Sequence, residues 1–207
     1  MQRLAAALAR RRIRPNHISL FGLAAAVIAG VLLGLTSLPE HPSRLCFLLA
    51  AGLIQLRLLC NLIDGLVAVE GNMRSPTGEL YNEVPDRLSD AAVLIGAGYA
   101  AHSSPTLGYI AALAAVFVAY SRAVGKGCGL PADFRGPMAK QQRMFLITVC
   151  SLYLAAAPSS WQPHLPAFLD SRDPGLLTIF LAVIILGCII TSARRLLAAA
   201  HALNRRG

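Results

Sequence analysis

Charge is scarce in this chain of 207 residues. Asp, Glu, Lys and Arg make up 14% of it, where a soluble domain of this size carries about a quarter. Acidic residues are the scarcest, ten against 19 Lys and Arg. Cysteine supplies no framework: Cys46, Cys60, Cys128, Cys150 and Cys188 are odd in number, form no CxxC pair and lie mostly in apolar runs. They read as small buried residues, with no disulfide and no metal assigned to them. No small-residue cleavage site follows the first apolar run, which is also too long for a signal peptide. A secreted miniprotein, a disordered tail and an ordinary soluble domain are all excluded. What abounds is apolar side chain, 56% of the residues with a mean hydropathy of +0.58, and a membrane is the first explanation.

Six runs lack Asp, Glu, Lys and Arg: residues 18–39, 45–56 (continued by 58–63 beyond Arg57), 91–106, 107–121, 144–169 and 174–193. A helix needs roughly 17 to 25 such residues to cross the hydrocarbon. The first and last runs meet that alone, and the second does so if Arg57 is tolerated. Ser103-Ser104-Pro105 reads as a turn between the third and fourth, and Pro158 ends the apolar core of the fifth. Only helices can cross, because backbone groups have no water to pair with there. The expected fold is all-α, an integral membrane bundle of six transmembrane helices forming a single domain over 1–207.

The basic residues are distributed unevenly. Five precede the first span, Arg74 and Arg87 lie between the second and third, five surround the connection of the fourth and fifth, and four follow the sixth. Only Arg44 and Arg172 fall on the other side, and Arg57 lies within a span. The positive-inside bias places both termini in the cytoplasm. The net charge of +9 is then explained by topology and anionic headgroups, without nucleic acid. Met1 to Arg14 forms either an amphipathic surface helix or a topology signal alone.

Six of the ten acidic residues fall between 64 and 90: Asp64, Glu70, Glu79, Glu83, Asp86 and Asp90. A carboxylate at the end of a membrane helix is costly and marks function by default. Asn61 and Asp64 share a helix face, and Asn82, Asp86 and Asp90 stack along another. Glu79 and Glu83 project nearby if the third helix begins that early, and Pro85 fits a first turn. Carboxylate and amide oxygens gathered at one wet point suit Mg²⁺ or Mn²⁺. No His or Cys lies among them, which argues against zinc. Gly65, Ala68 and Gly78 let a ligand approach closely; singly, each is better read as helix packing by small residues.

The stretch Asn61-Leu62-Ile63-Asp64-Gly65-Leu66-Val67-Ala68-Val69, followed by Gly78, Asn82 and Asp86, resembles the signature of the CDP-alcohol phosphatidyltransferases, D-x2-D-G-x2-A-R-x8-G-x3-D-x3-D. Every spacing matches. Asn61, Val69 and Asn82 depart, standing at Asp, Arg and Asp positions. Arg14-Pro15-Asn16-His17-Ile18-Ser19 is similar to the T-P-N-x-I-T that leads into the first helix of that family. The resemblance implies a metal-dependent transfer of a phosphatidyl group from a CDP-diacylglycerol-type lipid to a small or phosphorylated alcohol, with CMP released. It implies Asn61, Asp64, Asn82 and Asp86 as ligands of Mg²⁺ or Mn²⁺, Asp86 as base, and Gly65, Ala68 and Gly78 bordering the nucleotide. The two Asn remove two negative charges, so one metal, or a rearranged pair, is expected. Asp90 and Glu83 could restore charge, which opens a second division of labour: Asp86 as ligand and Asp90 as base.

Arg122, Lys140 and Arg143 are candidate contacts to an anionic acceptor, although basic residues at helix ends also snorkel to lipid phosphates. Arg57 either pairs with a carboxylate or reaches the interface. A homodimer through Gly96, Gly98 and Gly108 is expected from their small size. The expected location is a bacterial inner membrane, with the site facing the cytoplasm. The competing readings are a catalytically silent binder of CDP-lipid or metal, motivated by the three departures, and an ion transporter, which ranks last because the carboxylates sit at one rim.

Overall fold

The computed structural model describes residues 15–41, 43–70, 77–167, 169–170 and 173–205. The expectations for Met1 to Arg14 and for the side chain of Glu79 fall outside what is described. Among the described residues six long helices follow one another: α1 (Pro15–Leu35), α2 (Ser43–Glu70), α3 (Gly78–Tyr99), α4 (Pro105–Gly127), α5 (Lys140–Ala156) and α6 (Leu176–Asn204), with a 3₁₀ turn, Ser159–Trp161, after α5. No strand occurs among the described residues.

Local chemistry sets several of these limits. Pro15 opens α1, where a missing N–H costs nothing. Ser104 caps α4, its hydroxyl accepting from the Leu107 amide at 3.3 Å, with Pro105 in the first turn; the turn expected at Ser103-Ser104-Pro105 is therefore present. α3 begins earlier than expected from Pro85. That proline lies inside the helix, where it removes the amide that Tyr81 would have bonded.

α1, α2, α4 and α6 are long and apolar enough to cross a membrane. α3 carries Glu79, Glu83, Asp86 and Asp90, and α5 has 17 residues, at the lower limit of about 17 for a crossing. Of the six transmembrane helices expected, six helices are present among the described residues, and four of them are long and apolar enough to cross a membrane.

α1 is the spine of the site, packing along both α2 and α3; α4 packs on α3 and α6, and α5 on α2. The crossing of α1 with α3 is closed by two glycines. A Cβ on Gly96 would lie 2.5 Å from the Gly30 Cα, and one on Gly30 would strike the Ala92 carbonyl. Gly98 and Gly108 meet in the same way between α3 and α4, with a Cβ on Gly98 falling 2.7 Å from the Gly108 Cα. This corrects the expectation of a dimer surface: Gly96, Gly98 and Gly108 are consumed in packing within the bundle, where missing side chains let backbones touch.

Gly96→Leu is expected to destabilise the protein by about 3 kcal/mol or more, the upper range for overpacking, because backbone rather than a flexible side chain must yield. Thermal unfolding in detergent checks this. Gly52→Leu is the control, since a Cβ there meets nothing within 4 Å.

Candidate active site

The residues of the acidic cluster are delivered by helix ends. α2 presents Arg57, Asn61 and Asp64 four and three residues apart, hence on one side. α3 presents Asn82, Glu83, Asp86 and Asp90, and α5 begins with Lys140 and Arg143. α1 contributes Ser19. The end of α2 and the beginnings of α3 and α5 meet at one face of the bundle.

Asp86 is the hub. Its Oδ1 accepts from Asn61 Nδ2 at 3.0 Å and from the Arg57 guanidinium. Its Oδ2 accepts from Lys140 Nζ at 2.5 Å. Lys140 also donates to Asn61 Oδ1, and Asn61 Nδ2 donates to Asn82 Oδ1 at 3.0 Å. Asn61, Asn82 and Asp86, which the sequence suggested as ligands, are therefore in direct contact. Asp64 is buried, with 5% of its surface exposed, and its Oδ2 accepts from the Ser19 hydroxyl at 2.6 Å.

Asp90 belongs to a different group. It is 2% exposed, and its Oδ2 accepts from the Arg143 guanidinium at 2.5 Å; Arg143 is itself 1% exposed and donates to the Met138 carbonyl at 2.9 Å. The structure joins Asp90 and Arg143 as a buried ion pair, and Arg143 also borders the cavity beside Asp86. Gly65, Ala68 and Gly78 do not line the cavity beside Asp86, although a side chain on Gly65 would point into open space.

That cavity has a volume of about 650 Å³ and is bordered by Asn61, Asn82, Asp86, Arg122, Lys140 and Arg195, among others. Glu83 orders its rim, accepting from Arg122 at 2.6 Å and from Arg87. Arg122 also lies 5.3 Å over the Phe134 ring. The α4–α5 connection is fastened to α6: the Met138 amide donates to Thr191 Oγ1 at 3.0 Å, and Arg195 Nε donates to the Arg135 carbonyl at 2.9 Å. Gly136, at φ +123°, faces Thr191 where any Cβ would collide, so this turn needs glycine. Next to it, the Arg135 guanidinium beside Asp133 holds that carboxyl below the usual carboxylate range. The fastening fixes where α5 starts, and hence where Lys140 reaches.

Of the two readings left open for Arg57, the structure shows the pairing with a carboxylate, that of Asp86. Sequence reasoning missed two participants. Ser19 lay within the quoted lead into the first helix but was given no role there. Arg195 was counted only as a topology charge; it is buried and donates to the Val118 carbonyl at 3.0 Å.

Residues 12–204 match the sequence profile of CDP-alcohol phosphatidyltransferase. The chain belongs to that family. Among its relatives is the inner membrane protein YnbA of Escherichia coli K12, 25% identical over 155 residues that make up 75% of each chain. An uncharacterized protein of Aquifex aeolicus is 28% identical over 188 residues, 88% of this chain and 80% of the other. The fold is that of Mycobacterium tuberculosis phosphatidylinositol phosphate synthase. Its complex with manganese and citrate superposes with a TM-score of 0.72 at 20% identity, covering 96% of this chain and 88% of that one. Its structure with CDP-DAG bound gives 0.70 at 18% identity, covering 96% and 92%.

The donor set fits the family's divalent metal in kind. Asp64 and Asp86 could offer carboxylates and Asn61 and Asn82 carbonyl oxygens, all of them hard donors. The fit differs in charge, since Lys140 and Arg57 already hold both oxygens of Asp86.

Proposed function

We propose that this protein transfers the phosphatidyl group of a CDP-diacylglycerol-type lipid to an acceptor alcohol at the cavity beside Asp86. The acceptor oxygen forms a bond to the lipid-side phosphorus, the phosphoanhydride bond to the CMP phosphate breaks, and the hydroxyl proton passes to a carboxylate. The observation that carries this reading is Asp86 itself, held by groups from α2 and α5 at the edge of a cavity large enough for a diphosphate and an alcohol, in a chain of this family.

The contacts support one division of labour. We assign Asp86, which borders the cavity, as the base rather than Asp90, which is buried against Arg143. A carboxylate touched by two cations is a weak base, so positioning supplies much of the acceleration. Arg122, Lys140 and Arg195 make the cavity wall cationic, which favours a phosphorylated alcohol as acceptor. Asn61, Asp64, Asn82 and Asp86 would hold Mg²⁺ or Mn²⁺, which when bound neutralises phosphate charge. With two amides in place of carboxylates and Lys140 already on Asp86, we expect a single ion. In this reading all six helices cross an inner membrane and the face carrying Asp86 lies on the cytoplasmic side.

The test is direct. Purified protein with CDP-diacylglycerol, Mg²⁺ or Mn²⁺ and a panel of free and phosphorylated alcohols is expected to release CMP with at least one acceptor. No release across the panel, beside an active family member, would leave the second reading, a silent CDP-lipid binder, which the saturation of Asp86 by Arg57 and Lys140 favours. Lys140→Met is expected to tighten Mn²⁺ binding by about tenfold, ~1.4 kcal/mol, because the ammonium competes for Asp86 Oδ2 and Asn61 Oδ1. Titration followed by electron paramagnetic resonance checks this, and unchanged affinity would place the ion elsewhere.

A further inference from the structure

At the end of the bundle away from Asp86, three side chains distant in sequence converge. His102 lies in the turn between α3 and α4, His164 in the connection after α5, and Asp173 shortly before α6. From Asp86 to the last residue of α3 the helix runs roughly 20 Å at about 1.5 Å per residue, so this cluster is separate from the transfer site. Asp173 Oδ2 is 2.9 Å from His102 Nδ1, and His164 Nδ1 is 2.9 and 3.1 Å from the two oxygens of the same carboxylate. The imidazole rings stand edge to face with centroids 5.4 Å apart. One ligand atom from each residue falls within 4.8 Å of the others, and among the described residues this is the only such grouping of His, Cys, Asp and Glu.

The geometry points to a metal site here, formed by His102, His164 and Asp173 for a late first-row divalent cation of the Zn²⁺ class. Two imidazole nitrogens and one carboxylate oxygen suit Zn²⁺, Cu²⁺ or Ni²⁺ rather than Mg²⁺. In a tetrahedral zinc site the bond lengths place neighbouring ligand atoms about 3.3 Å apart. The two His–Asp separations already lie within a few tenths of an ångström of that, so only the two imidazoles need to close toward one another. All three side chains are about half exposed, which gives an ion access and leaves the fourth position to water.

The backbone holds the ligands in place independently of any ion. The His102 carbonyl accepts from the Gly175 amide at 2.6 Å and from Thr178 Oγ1 at 3.3 Å. The Leu165 amide donates to the Pro174 carbonyl at 2.8 Å, tying the neighbour of His164 to the neighbour of Asp173. His102 itself adopts φ +54°, a conformation uncommon for residues other than glycine, and its ring meets the other two from there. A bound ion would clamp the α3–α4 turn to the segment entering α6, on the face opposite the chemistry.

The experiment uses the full chain in detergent, stripped of metal and titrated with Zn²⁺ against a chromophoric chelator. One tight equivalent is expected, with thermal unfolding shifted upward by Zn²⁺. His164→Ala and Asp173→Asn are each expected to weaken binding by about tenfold or more, and His102→Ala with His164→Ala to remove it along with the thermal shift. His201→Ala, on α6 outside the cluster, is expected to change neither. His164→Asn, a milder change, serves if the alanine variant does not elute as folded protein. Lack of a tight equivalent, or binding that survives the double substitution, overturns the proposal. CMP release is read separately and is expected to persist in the His164 variants, so this site and the transfer reaction fail independently.

Discussion

Asp86→Asn is expected to reduce CMP release per folded molecule by about 10² to 10⁴-fold, the usual contribution of a positioned base. The same change leaves the guanidinium of Arg57 and the ammonium of Lys140 facing a neutral amide. Both cations are largely shielded from water, with side chains 5% and 12% exposed, and breaking such a pair costs about 3–5 kcal/mol. The two effects separate in a double variant. Asp86→Asn with Lys140→Met removes one orphaned charge and is expected to recover part of the stability and none of the activity. Unaltered turnover in monodisperse Asp86→Asn protein would sink the assignment of Asp86.

Asp90→Ala is expected to be similarly destabilising, about 3–5 kcal/mol by thermal or denaturant unfolding, for a different reason. Arg143 is almost fully enclosed and Asp90 is the anion it meets, so the substitution buries an uncompensated charge. Asp90→Leu combined with Arg143→Met removes both charges and is expected to regain most of the loss, as paired replacement of internal ions often does. The protein that does fold is expected to retain CMP release, since Asp90 does not border the cavity. If Asp90→Asn instead kept its unfolding temperature and lost turnover, the proton would have to go to Asp90.

These two predictions turn on a distinction that spacing alone leaves open. Asn82, Asp86 and Asp90 are successive fours on one helix face, and either carboxylate could be the base on that ground. The structure separates them by their partners. Lys140 reaches Asp86 from 54 residues away and Arg143 reaches Asp90 from 53. Two residues on one face of α5, three apart, thus serve two carboxylates on one face of α3, four apart. Which pairs with which depends on how far α5 is pushed along α3, and the fastening of Met138 and Arg135 to α6 sets that.

The amino-acid order by itself determined the helices and the family. Uncharged runs of membrane length, the turn at Ser103-Ser104-Pro105 and the spacing from Asn61 to Asp86 are local properties, written in consecutive residues. Tertiary structure decided how charge is distributed within the site, because Arg57, Lys140 and Arg143 meet their carboxylates only after α1 has set α2 against α3. It also decided the fate of the glycines: Gly96 and Gly98 look equally suited to a partner chain until Gly30 and Gly108 are found against them. The cluster of His102, His164 and Asp173 was illegible beforehand for the same reason, since no short spacing links residues that only loop closure at the far end of the bundle brings together.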